Sequence, residues 1–291
     1  MREKLEKIVN DNDIKSALKL IKSPKKTPKK SKRRSFLMVS AHNVKHLLKI
    51  TSLNADTIIL NLEDGVSKDK KEIARVMIGV ILTNFDIDKE IIVRVNSLKE
   101  NGLEDIKFLN QFDISSFRIP KVDNINELEE VFKLTDKNIS LSIETKESFF
   151  SLSQFNHKRI DLLFLGIYDL FNELNLNINL IKHSNPLISK ILTDFSLNSR
   201  YINKTPIGFV YQHYKDLEGF KKWALLQKEI GIKGVVCITP KQVEIANLIF
   251  NEDLEYAKMI TKRFEKEGVF TIDGLFVDEP IYKNFKSLIN E

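Results

Sequence analysis

Eight times along the chain, a short apolar run rich in β-branched and aromatic residues is followed by a stretch with helical spacing. The runs are SFLMV (35–39), DTIILNL (56–62), EIIVRV (90–95), SSFRIP (115–120), NISLSIE (138–144), IDLLFLG (160–166), PIGFVYQ (206–212) and KGVVCI (233–238). Helix-like stretches follow near 43–53, 68–83, 102–111, 125–134, 146–155, 186–199, 217–230 and 241–250, the sixth after an Asn-rich connection. Continuously apolar strands separated by amphipathic helices predict parallel strands buried on both faces. Eight such units predict an α/β fold, a closed (β/α)8 TIM barrel. A doubly wound open sheet is the alternative, but the glycine-rich phosphate fingerprint that it often carries is missing.

The barrel unit spans 34–250. Before it, Leu5, Ile8, Val9, Ile14, Ala17, Leu18 and Ile21 give one or two short helices, and the segment KSPKKTPKKSKRR (22–34) follows. That segment carries eight cations and no acid, and most of the net charge of +6 resides there. Like charges repel and keep a chain extended, so residues 1–33 read as a helical and basic extension, with the Lys/Pro stretch a solvated linker. Deleting residues 1–32 is then expected to leave the fold stable. No aromatic residue is interleaved to stack on bases, which argues against nucleic-acid recognition. After the barrel, 251–291 reads as a helix near 252–267, a turn-rich segment and a last helix that together form a lid.

No stretch approaches the roughly 20 apolar residues that would span a bilayer. The charged start MREKLEKIVNDND lacks a secretory pattern, and the single cysteine, Cys237, excludes an internal disulfide. Cytoplasmic residence is the expectation.

Functional groups on this fold gather at the C-terminal ends of the strands. Glu63 and Asp64 close the second run, Arg94 the third and Glu144 the fifth, and Asp169 follows the sixth. Carboxylates without clustered His or Cys suit a hard, oxygen-preferring cation such as Mg2+, with Glu144 and Asp169 the natural pair. Alternation in VRVNS turns Arg94 away from Val93 and Val95 and into the barrel. There it serves either as a structural ion pair with Glu63 or Asp64 or as a clamp on a substrate oxyanion. His42 and His46 stand four apart with no third ligand, and read as a solvated helix face.

The motifs RRSFLMV, ILNLEDGVSKDKKEIAR, VRVNS, RIPKV, SIET, GIYDL and DGLFVDEP occur in the order in which they resemble the citrate lyase β-subunit-like proteins of the HpcH/HpaI aldolase and citrate lyase family. The resemblance runs from about Arg34 to the C-terminus. It implies a Mg2+-dependent lyase that cleaves or forms a carbon–carbon bond in a β-hydroxyacyl thioester such as citryl-, malyl- or citramalyl-CoA, or in a related hydroxy keto acid. It further implies Glu144 and Asp169 as metal ligands, Arg94 as the substrate arginine, and Glu63 and Asp64 as the acids that order the metal's surroundings. Asp278 becomes an acid reaching a neighbouring subunit's site in a homo-oligomer, a trimer or a multiple of it. Arg34 and Lys45 become basic groups on the acyl-CoA side. The chain departs from the family pattern at Ser40-Ala41, Tyr168, Ile207, Val235 and Thr239, positions expected near the substrate end. Those departures keep open a second reading, a divergent barrel acting as a binding or assembly subunit. A third, nucleic-acid association through the basic segment, rests on charge alone.

Overall fold

The computed structural model describes residues 1–24, 31–251 and 254–290. Residues 25–30, inside the basic segment, lie outside the described residues. Eight parallel strands close in sequence order: β1 (Ser35–Ser40), β2 (Thr57–Asn61), β3 (Glu90–Arg94), β4 (Ser116–Ile119), β5 (Asn138–Ile143), β6 (Ile160–Leu165), β7 (Thr205–Gly208) and β8 (Gly234–Cys237). β8 pairs back onto β1 through Ser35–Val235 and Phe36–Val236. Helices cover the outside, so nearly every strand residue is buried on both faces, including the polar ones that alternate in β4 and β5. The interior is filled by Phe36, Ile59, Ile92, Leu162, Phe164, Ile207 and Val236, with Phe36 and Phe164 edge to face at 5.3 Å.

The chain forms two units, Met1–Ile249 and Phe250–Glu291. The first includes the N-terminal extension. Helix Arg2–Asn10 buries Leu5, Ile8 and Val9, and helix Ile14–Leu18 buries Ala17 and packs on helix Lys71–Asn84. Against the expectation of a dispensable extension stands this packing: the apolar stripe of the two helices is used against the barrel's own helices. The end of the basic segment is also ordered. Arg33 Nη2 lies 2.6 Å from Glu90 Oε1 and 3.1 Å from Asp161 Oδ2, and Ser31 Oγ donates to Glu90. These contacts close the barrel at the end where the strands begin.

The second unit contains helix Leu254–Glu267, a hairpin of β9 (Phe270–Ile272) and β10 (Leu275–Val277), and helix Glu279–Asn290. The hairpin is more than the turn-rich segment expected. Asp273 and Gly274 both adopt positive φ (50° and 80°), the geometry of a two-residue turn whose twist matches antiparallel strands. Ile260, Phe270 and Val277 form this unit's own buried cluster.

Candidate active site at the barrel mouth

Glu144 is held in place by its neighbours in sequence. It follows the last residue of β5, and Thr145 N-caps helix Lys146–Phe150 in a reciprocal arrangement with Ser148: Ser148 N donates to Thr145 Oγ1 (3.1 Å) and Thr145 N to Ser148 Oγ (3.2 Å). A strand end on one side and a capped helix on the other leave Glu144 little freedom. Its carboxylate is almost wholly buried, with 1 % exposure. The next strand passes against it: a Cβ on Gly166 would lie 2.4 Å from Glu144 Cβ, so only glycine permits this approach. Three residues on, Asp169 stands half-buried in the first turn of helix Ile167–Glu173.

The groups around Glu144 come from β2, β3 and β4. Arg94 Nη2 pairs with Glu63 Oε2, and lies 3.4 Å from Asp64 Oδ2 and 3.6 Å from Glu144 Oε2. Lys121, just past β4, has φ +54°, unusual for a residue with a side chain. That backbone lets Lys121 N donate to Glu144 Oε1 at 3.1 Å while its Nζ sits 3.2 Å from Glu63 Oε1. A cleft of about 550 Å3 opens here, lined by Glu144, Asp169, Lys121, Asp123 and Ser97 among others.

Charge follows from burial. Burial pushes the Glu144 carboxyl above the ordinary range, against the pull of Arg94. Burial also opposes the Arg94 charge, but Glu144, Glu63 and Asp64 more than offset it and keep the guanidinium protonated. Burial would raise Asp64 too, yet Arg94, Glu63 and Lys121 hold it below the usual carboxylate range.

Hydrogen bonds behind these groups fasten the loops. Asp105 accepts from Asn96 N (2.9 Å), Asn96 Nδ2 (2.6 Å) and Arg75 Nε (2.6 Å), while Lys71 Nζ donates to Asn96 Oδ1 and to Glu63 O. The spacing of Glu63, Lys71, Arg75 and Asn96 in LEDGV…KKEIAR and VRVNS thus has a mechanical meaning: it ties the loop after β2 to the loop after β3.

With this geometry in hand, the chain can be set beside known proteins. The family model for HpcH/HpaI aldolase/citrate lyase matches residues 34–240. The chain belongs to this family. It is 29% identical over 257 residues to (3S)-malyl-CoA thioesterase of Cereibacter sphaeroides, covering 84% of this chain and 89% of that one. It is 27% identical over 284 residues to citrate lyase subunit beta of Haemophilus influenzae, covering 88% and 96%. Its fold superposes on protein CitE from Mycobacterium tuberculosis in complex with magnesium, acetoacetate and coenzyme A, with TM-score 0.70 and 19% identity over 88% of this chain and 96% of that one. The enzyme class is the family's, a carbon–carbon lyase of the citrate lyase type.

The barrel brings Glu63, Asp64, Arg94, Glu144 and Asp169 to one end, and Lys45 stands exposed on the short helix after β1 at that same end. Two expectations need correction. Arg34 precedes β1, at the opposite end of the barrel, where Nε and Nη2 grip Asp56 at 2.8 and 2.9 Å; it closes the barrel rather than meeting substrate. Ile207 and Val235 are not at the substrate end either. Ile207 packs in the barrel core, and Val235 pairs with Ser35 near the start of β8. Thr239 alone of these three follows a strand end, where its Oγ1 accepts from Gln242 N. Asp278 lies in the C-terminal unit, and its Oδ1 caps helix Glu279–Asn290 by accepting from Ile281 N at 3.2 Å.

Sequence reasoning missed Lys121 and Arg118. For Arg118 a signal was present: Phe117 and Ile119 flank it, so the alternation that turned Arg94 inward turns Arg118 inward as well. Lys121 stands in the RIPKV motif, but its role depends on one left-handed backbone angle that the motif does not show.

Proposed function

We propose that this chain cleaves or forms a carbon–carbon bond in a β-hydroxyacyl thioester or a related hydroxy keto acid, with Mg2+ held by Glu144 and Asp169. The observation that carries the reading is Glu144: a buried carboxylate at a barrel mouth, fixed by a backbone amide and an arginine, beside the cleft that it shares with Asp169. The donor set fits the ion. It is all oxygen, and among the described residues no group of three or more His, Cys, Asp or Glu stands ready to hold a metal. Mg2+ takes one or two carboxylates and keeps waters and substrate oxygens for the rest, whereas Zn2+ sites require three or four protein ligands. Bound there, the ion would polarise a keto-acid carbonyl.

The chain's own residues supply the remainder. Arg94 offers a fixed positive charge to the oxygen whose charge changes as the bond breaks, and Glu63 and Asp64 hold it in position. Lys121 keeps Glu63 and Glu144 in register with each other. Lys45 offers a cation at the rim for the acyl-CoA side. Asp278 is the candidate to move a proton at the enolate carbon, delivered by a neighbouring copy in a homo-oligomer, a trimer or a multiple of it. The name of one relative, (3S)-malyl-CoA thioesterase, supports a thioester substrate class.

Mn2+ titration followed by electron paramagnetic resonance tests the metal reading. Wild type is expected to bind the ion, and Glu144→Gln and Asp169→Asn to weaken binding at least about tenfold, since each removes one of two anionic ligands. Unchanged affinity in both variants would reject the site. Release of a keto acid from candidate acyl-CoA thioesters then tests the chemistry.

A further inference from the structure

Glu63 and Asp64 sit on a segment that runs from the end of β2 to helix Lys71–Asn84. Val66 in it is buried, while Asp64, Gly65, Ser67, Lys68 and Asp69 are exposed. The segment is fastened to the barrel by Ser40 Oγ, which donates to Gly65 O at 3.2 Å, and by Lys71 Nζ, which donates to Glu63 O at 3.2 Å. Its far end is fastened to something else. Lys70 Nζ donates to Val9 O (2.9 Å) and Asn10 O (2.8 Å), the closing carbonyls of helix Arg2–Asn10. Carbonyls at a helix C-terminus lack intrahelical partners and carry the negative end of the helix dipole, so an ammonium group suits them. The same helix packs on Val44–Leu47, the short helix after β1 that carries Lys45. An extension that lies outside the family match at 34–240 therefore touches two consecutive segments of the rim. Holding a half-buried lysine in one conformation costs rotamer entropy that its hydrogen bonds barely offset, so the contact adds little to stability. What it fixes is a position.

We propose that helix Arg2–Asn10 is a working part of the mouth, and that Lys70 is the positioning residue through which it acts. This rests on reading Glu144 and Asp169 as the metal site. Lys70 and Lys71 are adjacent; one is bound to the N-terminal helix, the other to Glu63 O and Asn96 Oδ1, and together they set where the segment lies over the barrel. That placement puts Glu63 on Arg94 and Lys121, with Arg94 shared among Glu63, Asp64 (3.4 Å) and Glu144 (3.6 Å). With Lys70 released, the segment slackens and Glu63 and Asp64 withdraw from Arg94. The guanidinium then turns to the carboxylate that stays, Glu144. An arginine paired with Glu144 competes with a cation for the same oxygens. The N-terminal helix thus sets, from outside the barrel, how tightly the mouth holds its ion.

Three full-length variants separate position from charge. Lys70→Met removes the contact, and Lys70→Arg keeps a cation able to donate to both carbonyls. Lys68→Met removes the same charge from an exposed place in the same segment. Two quantities are read: Mn2+ affinity by electron paramagnetic resonance, and hydrogen exchange of the amides of residues 62–69 by mass spectrometry. Lys70→Met is expected to weaken Mn2+ binding about three- to tenfold. It should speed exchange at 63–67 at least about tenfold, with the melting temperature within about 2 °C of wild type. Lys70→Arg should recover most of both, and Lys68→Met should leave both within about twofold of wild type. Affinity unchanged in Lys70→Met, or weakened equally by Lys68→Met, overturns the proposal, and so does faster exchange without loss of affinity. A loss of affinity that comes with a melting temperature lowered by more than about 5 °C assigns the contact to stability and overturns it as well. Glu144→Gln is the reference for the mouth. If it loses Mn2+ while Lys70→Met does not, the mouth reading stands without this inference; if it binds as wild type does, or wild type binds none, the mouth reading fails and this inference with it.

Discussion

Arg94 and Arg118 are neighbours on one ladder, yet their surroundings are opposite. Arg94 is desolvated among carboxylates, and its charge is stabilised. Arg118 is desolvated against a hydroxyl and an aromatic face, and there burial and the nearness of Arg94 outweigh the pull of Glu144, Glu63 and Asp169. A base whose folded pKa lies below its unfolded value destabilises the fold wherever both states are protonated. For Arg118 that holds below about pH 9, and the penalty fades as the pH rises through that value. Arg118→Met is therefore expected to be more stable than wild type at neutral pH, by about 1–3 kcal/mol, with the gain shrinking in alkaline buffer. Denaturant melts at pH 7 and pH 10 check this; a less stable variant at pH 7 would mean that the guanidinium is holding the barrel together.

At the scale of elements, the N-terminal helices are an integral part of the first unit. Lys70 Nζ donates to Val9 O (2.9 Å) and Asn10 O (2.8 Å), satisfying carbonyls at the end of the first helix. Lys22 N donates to Thr83 Oγ1, and Asn84 Nδ2 to Leu20 O. Gly79 lets the segment come close, since a Cβ there would lie 3.0 Å from Ile21 Cδ1. Removing residues 1–22 strips Ala17 and three larger buried aliphatic side chains, Leu5, Ile8 and Val9, the larger ones worth about 1.5–3 kcal/mol each before the entropy of ordering them is subtracted. The melting temperature should fall by about 5–10 °C. Differential scanning fluorimetry of the truncated chain decides, and an unchanged midpoint would show that the helices merely rest on the surface.

At the scale of the whole molecule, the two ends of the barrel divide the labour. Arg33, Arg34, Asp56 and Glu90 close the end where strands begin, and Glu63, Arg94, Lys121 and Glu144 gather where they finish. Asp278 belongs to the other unit, and its proposed role needs a neighbouring copy. Cyclic symmetry would complete every mouth with one repeated contact. Asp278→Asn is the suitable variant, because asparagine keeps the helix cap that Asp278 provides while removing the charge. Inactive Asp278→Asn subunits mixed with inactive Glu144→Gln subunits should regain activity, with about a quarter of the mouths intact at equal proportions. Absence of recovery after verified subunit exchange would reject shared sites.

The period of the apolar runs was enough to determine the barrel, because strands buried on both faces and helices buried on one leave different spacings. Strand ends then placed Glu63, Arg94 and Glu144 on one rim, since a parallel closed sheet has only one such rim. What depended on tertiary structure stayed out of reach. The run beginning at Ser35 already left Arg34 ahead of the first strand, but its grip on Asp56 needs the start of β2 alongside, which only the paired strands bring. The burial of Ile207 and Val235 follows from strand register around the closed ring. Lys121 reaches two carboxylates through one positive φ, a property of no local pattern. Arg118 was legible as inward-facing, but that no direct ion pair meets it among the described residues was not, because that is a statement about every neighbour at once, and only the closed barrel brings those neighbours together.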